Sequence, residues 1–209
     1  MESRGAACIM SEPFTAKASQ WDSSSRRQRL AQRIYESIAK RIALQPDMEI
    51  IDLGAGTGLL TYKILPHVGT ITAYDTSETM LRELERKMDS EGRVIARLQD
   101  ISQEKLPDAA YDGVVSSMTL HHIEHLKPLF EHLYAALRKG GFVAIADLVR
   151  EDGSFHGGDC NGVHHFGFEA SALRERVRSA GFTDVAFEII DVIHKAKQEY
   201  PIFLLTAFK

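Results

Sequence analysis

Ile50-Ile51-Asp52-Leu53 runs directly into Gly54-Ala55-Gly56-Thr57-Gly58, and Leu59-Leu60 follow. An apolar run that enters a glycine-rich turn and leaves into a second apolar stretch reads as strand, turn and helix. Glycines in such a turn let the backbone approach a ligand closely, and open α/β sheets hold ligands at the carboxyl ends of their strands. The spacing is G-x-G-x-G. Leu59 stands where the third glycine of a dinucleotide fingerprint would fall, and no Gly-Lys-Ser/Thr closes the turn as a P-loop requires. Asp52 lies at the strand end just before the turn. A carboxylate there repels a pyrophosphate and suits a ligand carrying an ammonium group.

Two further acids occupy equivalent positions. Asp75 follows the β-branched run Thr70 to Tyr74, where a carboxylate can accept two hydrogen bonds from a ribose diol. Asp100 follows Val94 to Leu98 and precedes Ile101, where an acid can accept from the exocyclic amine of adenine. Any one Asp of this kind, taken alone, reads better as a helix cap or turn residue. Three at successive strand ends are harder to explain that way. They line up sites for an amino-acid head, a ribose and an adenine along one sheet edge.

These acids need a sheet beneath them, and the chain alternates strand and helix patterns from Pro46 onward. After the first strand and its glycines comes a helix over Leu59 to Leu65. Ser77 opens another, with Met80, Leu81, Leu84 and Met88 on one face. Gly113 to Ser116 is a fourth strand. Leu129, Phe130, Leu133, Ala136 and Leu137 mark a helix stopped by Gly140-Gly141. Phe142 to Ala146 is a strand buried on both faces, and a helix over Glu169 to Ala180 ends at Gly181. Two late strands, Val185 to Ile190 and Ile202 to Phe208, have no room for a helix between them. The last is therefore expected to run antiparallel to a mainly parallel sheet. Ahead of all this, Ser23-Ser24-Ser25 offers N-caps for a helix with Leu30, Ile34, Ile38 and Ile42 on one face. Its other face, with Arg26, Arg29, Arg33, Lys40 and Arg41, reads as solvated.

Composition sets the outer bounds. The chain has 209 residues, 44% hydrophobic and 26% charged, the balance of one folded globular unit. Lys and Arg number 25 against 29 Asp and Glu, a net charge of −4, so no basic surplus points to nucleic acid or an anionic membrane. The apolar run Tyr200 to Phe208 is about half the length that spans a bilayer. Two cysteines, Cys8 and Cys160, cannot form a disulfide framework. The N-terminus lacks the layout of a secretory signal, so a cytoplasmic location is expected.

The segments D-L-G-A-G-T-G, the second-strand acid, Q-D-I and Y-D-G-V-V-S-S, in that order and spacing, resemble the class I S-adenosylmethionine-dependent methyltransferases. The resemblance covers Gln45 to Lys209. It implies an α/β fold, doubly wound and Rossmann-like, with a seven-stranded, mostly parallel sheet, an antiparallel last strand and helices on both faces. It implies S-adenosyl-L-methionine as cofactor and S-adenosyl-L-homocysteine as product. By the same resemblance, Asp52 with Gly54, Gly56 and Gly58 would hold the methionine part. Asp75, with Thr76 and Met80 beside it, would take the ribose, Asp100 and Ile101 would frame the adenine, and Ser117 would lie near the sulfonium. Residues 1–20 are expected to form a flexible tail and residues 21–209 a single domain, with an N-terminal helical segment over 21–44 and a substrate-side loop over 149–168. The resemblance suggests that the Trp21 segment closes over the cofactor; a local staple onto the core is the alternative.

Methyl transfer asks the protein mainly to orient its reactants and sometimes to remove a proton. In related methyltransferases the segment Thr119-Leu120-His121-His122-Ile123 passes close to the transferred methyl group. That makes His122, ranked first, and His121 candidate bases. The loop from Arg150 to Phe168 carries His156, Asp159, Cys160, His164 and His165. Their spacing matches no zinc pattern, so no metal is expected. The loop reads instead as a substrate cover, with His164 and His165 as contacts. The expected acceptor is a small molecule, without nucleic-acid or membrane partners. Alternatives are a peptide substrate, a regulatory protein that binds the cofactor without turnover, and a nicotinamide-dependent reductase, which Asp52 disfavours.

Overall fold

The computed structural model describes residues 18–87, 91–157, 160–195 and 197–209. A 3-10 turn over Ala18–Ser23 leads into helix α1 (Ser25–Arg41), capped by the Ser24 hydroxyl, which accepts from Arg27 N. Strand β1 (Glu49–Leu53) and the glycine turn follow. Next come α2 (Thr61–Ile64), β2 (Thr70–Asp75), α3 (Glu78–Glu85), β3 (Val94–Leu98) and β4 (Tyr111–Ser117). The chain ends with α4 (Leu126–Ala136), β5 (Leu137–Leu148), α5 (Ala170–Ser179), β6 (Thr183–Lys195) and β7 (Gln198–Phe208).

The seven strands form one sheet in the order β3-β2-β1-β4-β5-β7-β6. The first five are mutually parallel, and β7 runs antiparallel between β5 and β6. The chain moves outward from β1 to β3 and then returns to place β4 on the other side of β1. That reversal opens a crevice above the β1 and β4 ends, where such sheets bind ligands.

Strand alternation builds a core on each face. In β5, Phe142, Ala144, Ala146 and Leu148 join the face covered by α1, α2 and α3 through Leu30, Ile34, Ile64 and Leu84. Val143 and Ile145 join the opposite face, covered by Phe130 and Leu133 of α4 and by Leu173 and Val177 of α5. β5 is therefore buried on both sides, as its composition requires.

Several boundaries differ from the sequence expectation. The helix expected over Leu59 to Leu65 is one α-turn, tightened into a 3-10 turn over Leu65–His67 at Pro66. Gly140-Gly141 does not stop α4. The helix ends at Ala136 because Leu137 already pairs with Tyr111, and Gly140 bends within β5, its N–H donating to the Lys209 carbonyl. The late strands extend much further than expected and form a tight hairpin from Lys195 to Gln198. β6 is the sheet edge, and the polar residues Asp191, His194 and Lys195 in its second half interrupt the apolar pattern of a strand. Met88, Asp159 and the expected tail up to residue 17 lie outside the described residues. Among the described residues, no helix is long and apolar enough to cross a membrane.

Candidate active site

A cavity of about 610 Å³ opens at the carboxyl ends of β1 to β4, a size typical of small-molecule sites. Asp52, Asp75 and Asp100 all line it. Asp52 is 1% exposed and accepts from the Thr61 hydroxyl at 2.6 Å. Burial pushes its carboxyl up to about 7, against the pull of that hydrogen bond. Asp75 accepts from Gly56 N and Ser77 N, both at 2.7 Å, so it ties the glycine turn to the start of α3. Burial raises its carboxyl above the usual range, opposed by those backbone donors. Asp100 accepts from the Ser102 amide and hydroxyl, holding the turn after β3. Each acid thus braces its own turn while facing the common space.

The glycine turn is strapped to the end of β2 by Gly54 N and Ala55 N, which both donate to the Tyr74 carbonyl. Its three glycines serve different ends. A Cβ on Gly54 would strike the Thr119 side chain at 2.2 Å, whereas one on Gly56, where φ is +56°, would meet nothing within 4 Å. Gly56 therefore faces open space on the cavity wall. Gly58 does not line the cavity, and its backbone packs on Tyr62 and Leu84 of the flanking helices.

Thr76, Met80, Ile101 and Ser117 stand on the cavity wall with the acids. Trp21 joins them from the N-terminal turn, its ring covered by the Arg27 guanidinium at 3.7 Å. The neighbouring Asp22 accepts from the Thr57 hydroxyl at 2.5 Å and from Lys87 Nζ at 2.6 Å, so this segment is clipped onto the glycine turn.

Histidines occupy the other end. His121 and His122 line the cavity from a 3-10 turn after β4, with ring centroids 4.1 Å apart. His156 reaches in from the loop after β5, 5.1 Å from His121. The His122 Nδ1–H donates to the Gly162 carbonyl at 2.7 Å, and burial holds this imidazole down to about 4, so it is neutral at pH 7. His164 also lines the cavity. His165 does not: its Nε2 donates to the Ile123 carbonyl at 2.9 Å, and the amides of His164 and His165 both donate to the His121 carbonyl. The loop is therefore laced to the His121-His122 turn. Among the described residues, no three His, Cys, Asp or Glu side chains are grouped to hold a metal ion.

Sequence reasoning missed two contributors. Asp147, fully buried at the end of β5, bonds His121 Nδ1 at 2.7 Å. Its signal was a lone acid inside the apolar run Phe142 to Leu148. Lys195 lines the cavity and donates to the Phe155 carbonyl. The missed extension of β6 brings it there.

Residues 50–141 match the family model described as a methyltransferase domain. Over 166 residues the chain is 27% identical to an uncharacterized methyltransferase of Schizosaccharomyces pombe, covering 72% of this chain and 57% of that protein. Over 151 residues it is 29% identical to a biotin biosynthesis bifunctional protein of Teredinibacter turnerae, covering 66% of this chain and 26% of that protein. The chain thus spans only part of these relatives. Among solved structures, a chain from the complex between the Haloferax volcanii Trm112 methyltransferase activator and a methyltransferase superposes with TM-score 0.78 at 17% identity, covering 94% of this chain and 97% of that one. A phosphoethanolamine N-methyltransferase of Haemonchus contortus, complexed with phosphomonomethylethanolamine and S-adenosylhomocysteine, superposes with TM-score 0.71 at 17% identity, covering 84% and 52%. Residues 50–141 are thus similar to a methyltransferase domain, on a fold shared with solved S-adenosylmethionine-dependent methyltransferases.

Proposed function

We propose that this chain transfers the methyl group of S-adenosylmethionine to a small-molecule acceptor in the cytoplasm, with residues 21–209 acting as one domain and 149–168 facing the acceptor. The observation that carries the reading is the set of three carboxylates on one cavity wall, each at the end of a different parallel strand. The residues suit the cofactor. Asp52, a buried acid held near neutrality, is a natural counter-charge for the amino-acid ammonium. Gly56 leaves open the space beside it for the ligand. Asp75, with Thr76 and Met80, would take the ribose hydroxyls, Asp100 and Ile101 the adenine, and Ser117 the region of the sulfonium. Gly54, which lines the cavity, would stand with Asp52 at the methionine part, and Gly58 would act indirectly, by shaping the turn. Trp21 would close the cofactor side.

When bound, S-adenosylmethionine supplies an electrophilic methyl and a thioether leaving group. The protein is left to orient the acceptor, exclude water and take up any proton released. The cavity volume and the laced loop over one end support a small acceptor rather than a long peptide.

Calorimetry with S-adenosylhomocysteine tests the proposal. One site per chain, weakened by Asp75→Ala, is the expected result. Folded protein that gives no heat with this ligand or with S-adenosylmethionine, or that binds NADH instead, would overturn it.

A further inference from the structure

We propose that His121 and Asp147 form a proton-accepting dyad at the acceptor end of the cavity, and that the acceptor is a hydroxyl compound. This rests on the methyltransferase reading above and deepens it. Asp147 is completely buried, and both of its oxygens are engaged. Oδ2 accepts from His121 N at 3.1 Å, while Oδ1 accepts from Leu148 N and from His121 Nδ1, both at 2.7 Å. Backbone N–H groups donating to each oxygen are the hydrogen-bond set of a carboxylate. A carboxylate only accepts, so the imidazole carries its proton on Nδ1. His121 is a wall residue of the cavity, and with Nδ1 committed to Asp147, its remaining nitrogen, Nε2, is a lone pair. The carboxylate fixes the tautomer and would stabilise the imidazolium formed when Nε2 takes a proton.

His122 is held differently. Its Nδ1–H donates to the Gly162 carbonyl, a neutral acceptor, where His121 Nδ1 meets a carboxylate directly. The two neighbouring histidines are therefore not equivalent, and the base is His121, reversing the ranking expected from sequence. Asp147 does not line the cavity and is a positioning residue.

The dyad narrows the acceptor. A weakly basic amine attacks with its own lone pair and sheds a proton afterwards, and an alkyl amine, an ammonium at neutral pH, can lose its proton to water before the methyl moves. Carboxylic acids are already ionised at neutral pH, and thiols ionise readily. A hydroxyl is the group that needs a base while the new bond forms. The acceptor O–C bond then forms as the C–S bond of the sulfonium breaks, with its electron pair left on sulfur. The hydroxyl proton passes to His121 Nε2 and afterwards to water.

The direct test is imidazole 15N NMR on the full chain at pH 7.5, with and without S-adenosylhomocysteine. His121 is expected as the Nδ1–H tautomer. In Asp147→Asn, a close match in shape, the amide can donate to Nδ1 and turn the ring to the Nε2–H tautomer. Wild-type His121 found as Nε2–H would overturn the dyad without reference to turnover. Methyl transfer from radiolabelled S-adenosylmethionine is then measured on panels of phenols and alcohols, thiols, amines and carboxylates. Turnover confined to hydroxyl compounds, with kcat lowered roughly 100-fold or more in Asp147→Asn and S-adenosylhomocysteine affinity within about twofold, is expected. Undiminished kcat in the variant, turnover on another panel, or none on hydroxyl compounds would overturn the inference. Calorimetry keeps the two levels apart: if wild-type protein does not bind S-adenosylhomocysteine, the cofactor reading fails, while the tautomer still judges the dyad.

Discussion

The two ends of the cavity are built on different plans. At the cofactor end, acids stand at the tips of β1, β2 and β3 or one turn beyond, and parallel pairing sets them side by side. Each is braced by donors close at hand, as Asp75 is by Ser77 and Asp100 by Ser102. At the other end the groups are histidines on turns and loops, held by contacts distant in sequence, such as His121 to Asp147 and His122 to Gly162. A regular sheet edge suits a ligand of fixed shape, whereas loops can be rewritten to fit different acceptors.

The first way to break this contrast is to fill the cofactor end. Gly56→Val is expected to abolish S-adenosylhomocysteine binding, because the new side chain would enter the space left open there. It should also cost about 1–2 kcal/mol of stability for a left-handed backbone without glycine. Calorimetry and a thermal melt read the two effects, and retained affinity would show that the turn does not face the ligand. Asp75→Ala comes next, with a loss of about 1.5–3 kcal/mol, the range for hydrogen bonds to a charged group. An unchanged Kd would remove Asp75 from the ribose site.

Asp52 sharpens the comparison through pH. Its carboxyl is raised to about 7 in the ligand-free protein, and a bound ammonium would favour the ionised form. The complex then carries fewer protons than its parts, so binding releases protons and affinity rises with pH, levelling off above about 7. Below that, the Kd should weaken by up to about tenfold per pH unit. Asp52→Asn should flatten the profile, and a wild-type profile already flat from pH 5.5 to 8 would argue against the ammonium contact. The smallest effect is expected at His165, outside the cavity. His165→Ala should leave S-adenosylhomocysteine affinity within about twofold and cost about 1 kcal/mol in denaturant unfolding, one hydrogen bond's worth. A large affinity change would mean that the loop anchored by this side chain also shapes the cofactor end.

The same contrast explains what could be read in advance. The three acids were legible because strand and turn patterns are local, and a residue at a strand tip has one place to go in a parallel sheet. That Gly58 stands off the cavity wall was not legible, because a glycine in the motif can serve helix packing as well as ligand approach and only its neighbours Tyr62 and Leu84 distinguish the two. Asp147 stayed hidden because its partner lies on another strand's exit turn, a pairing that no local pattern encodes. Lys195 was missed with the second half of β6, where Asp191, His194 and Lys195 itself break the apolar alternation.

A crystal structure of the chain with S-adenosylhomocysteine tests the central claim most directly. The account predicts the ribose hydroxyls on Asp75, the adenine amine near Asp100, the ammonium at Asp52, and the sulfur turned toward the histidine end. A ligand bound elsewhere, or carboxylates that make no contact with it, would contradict the account.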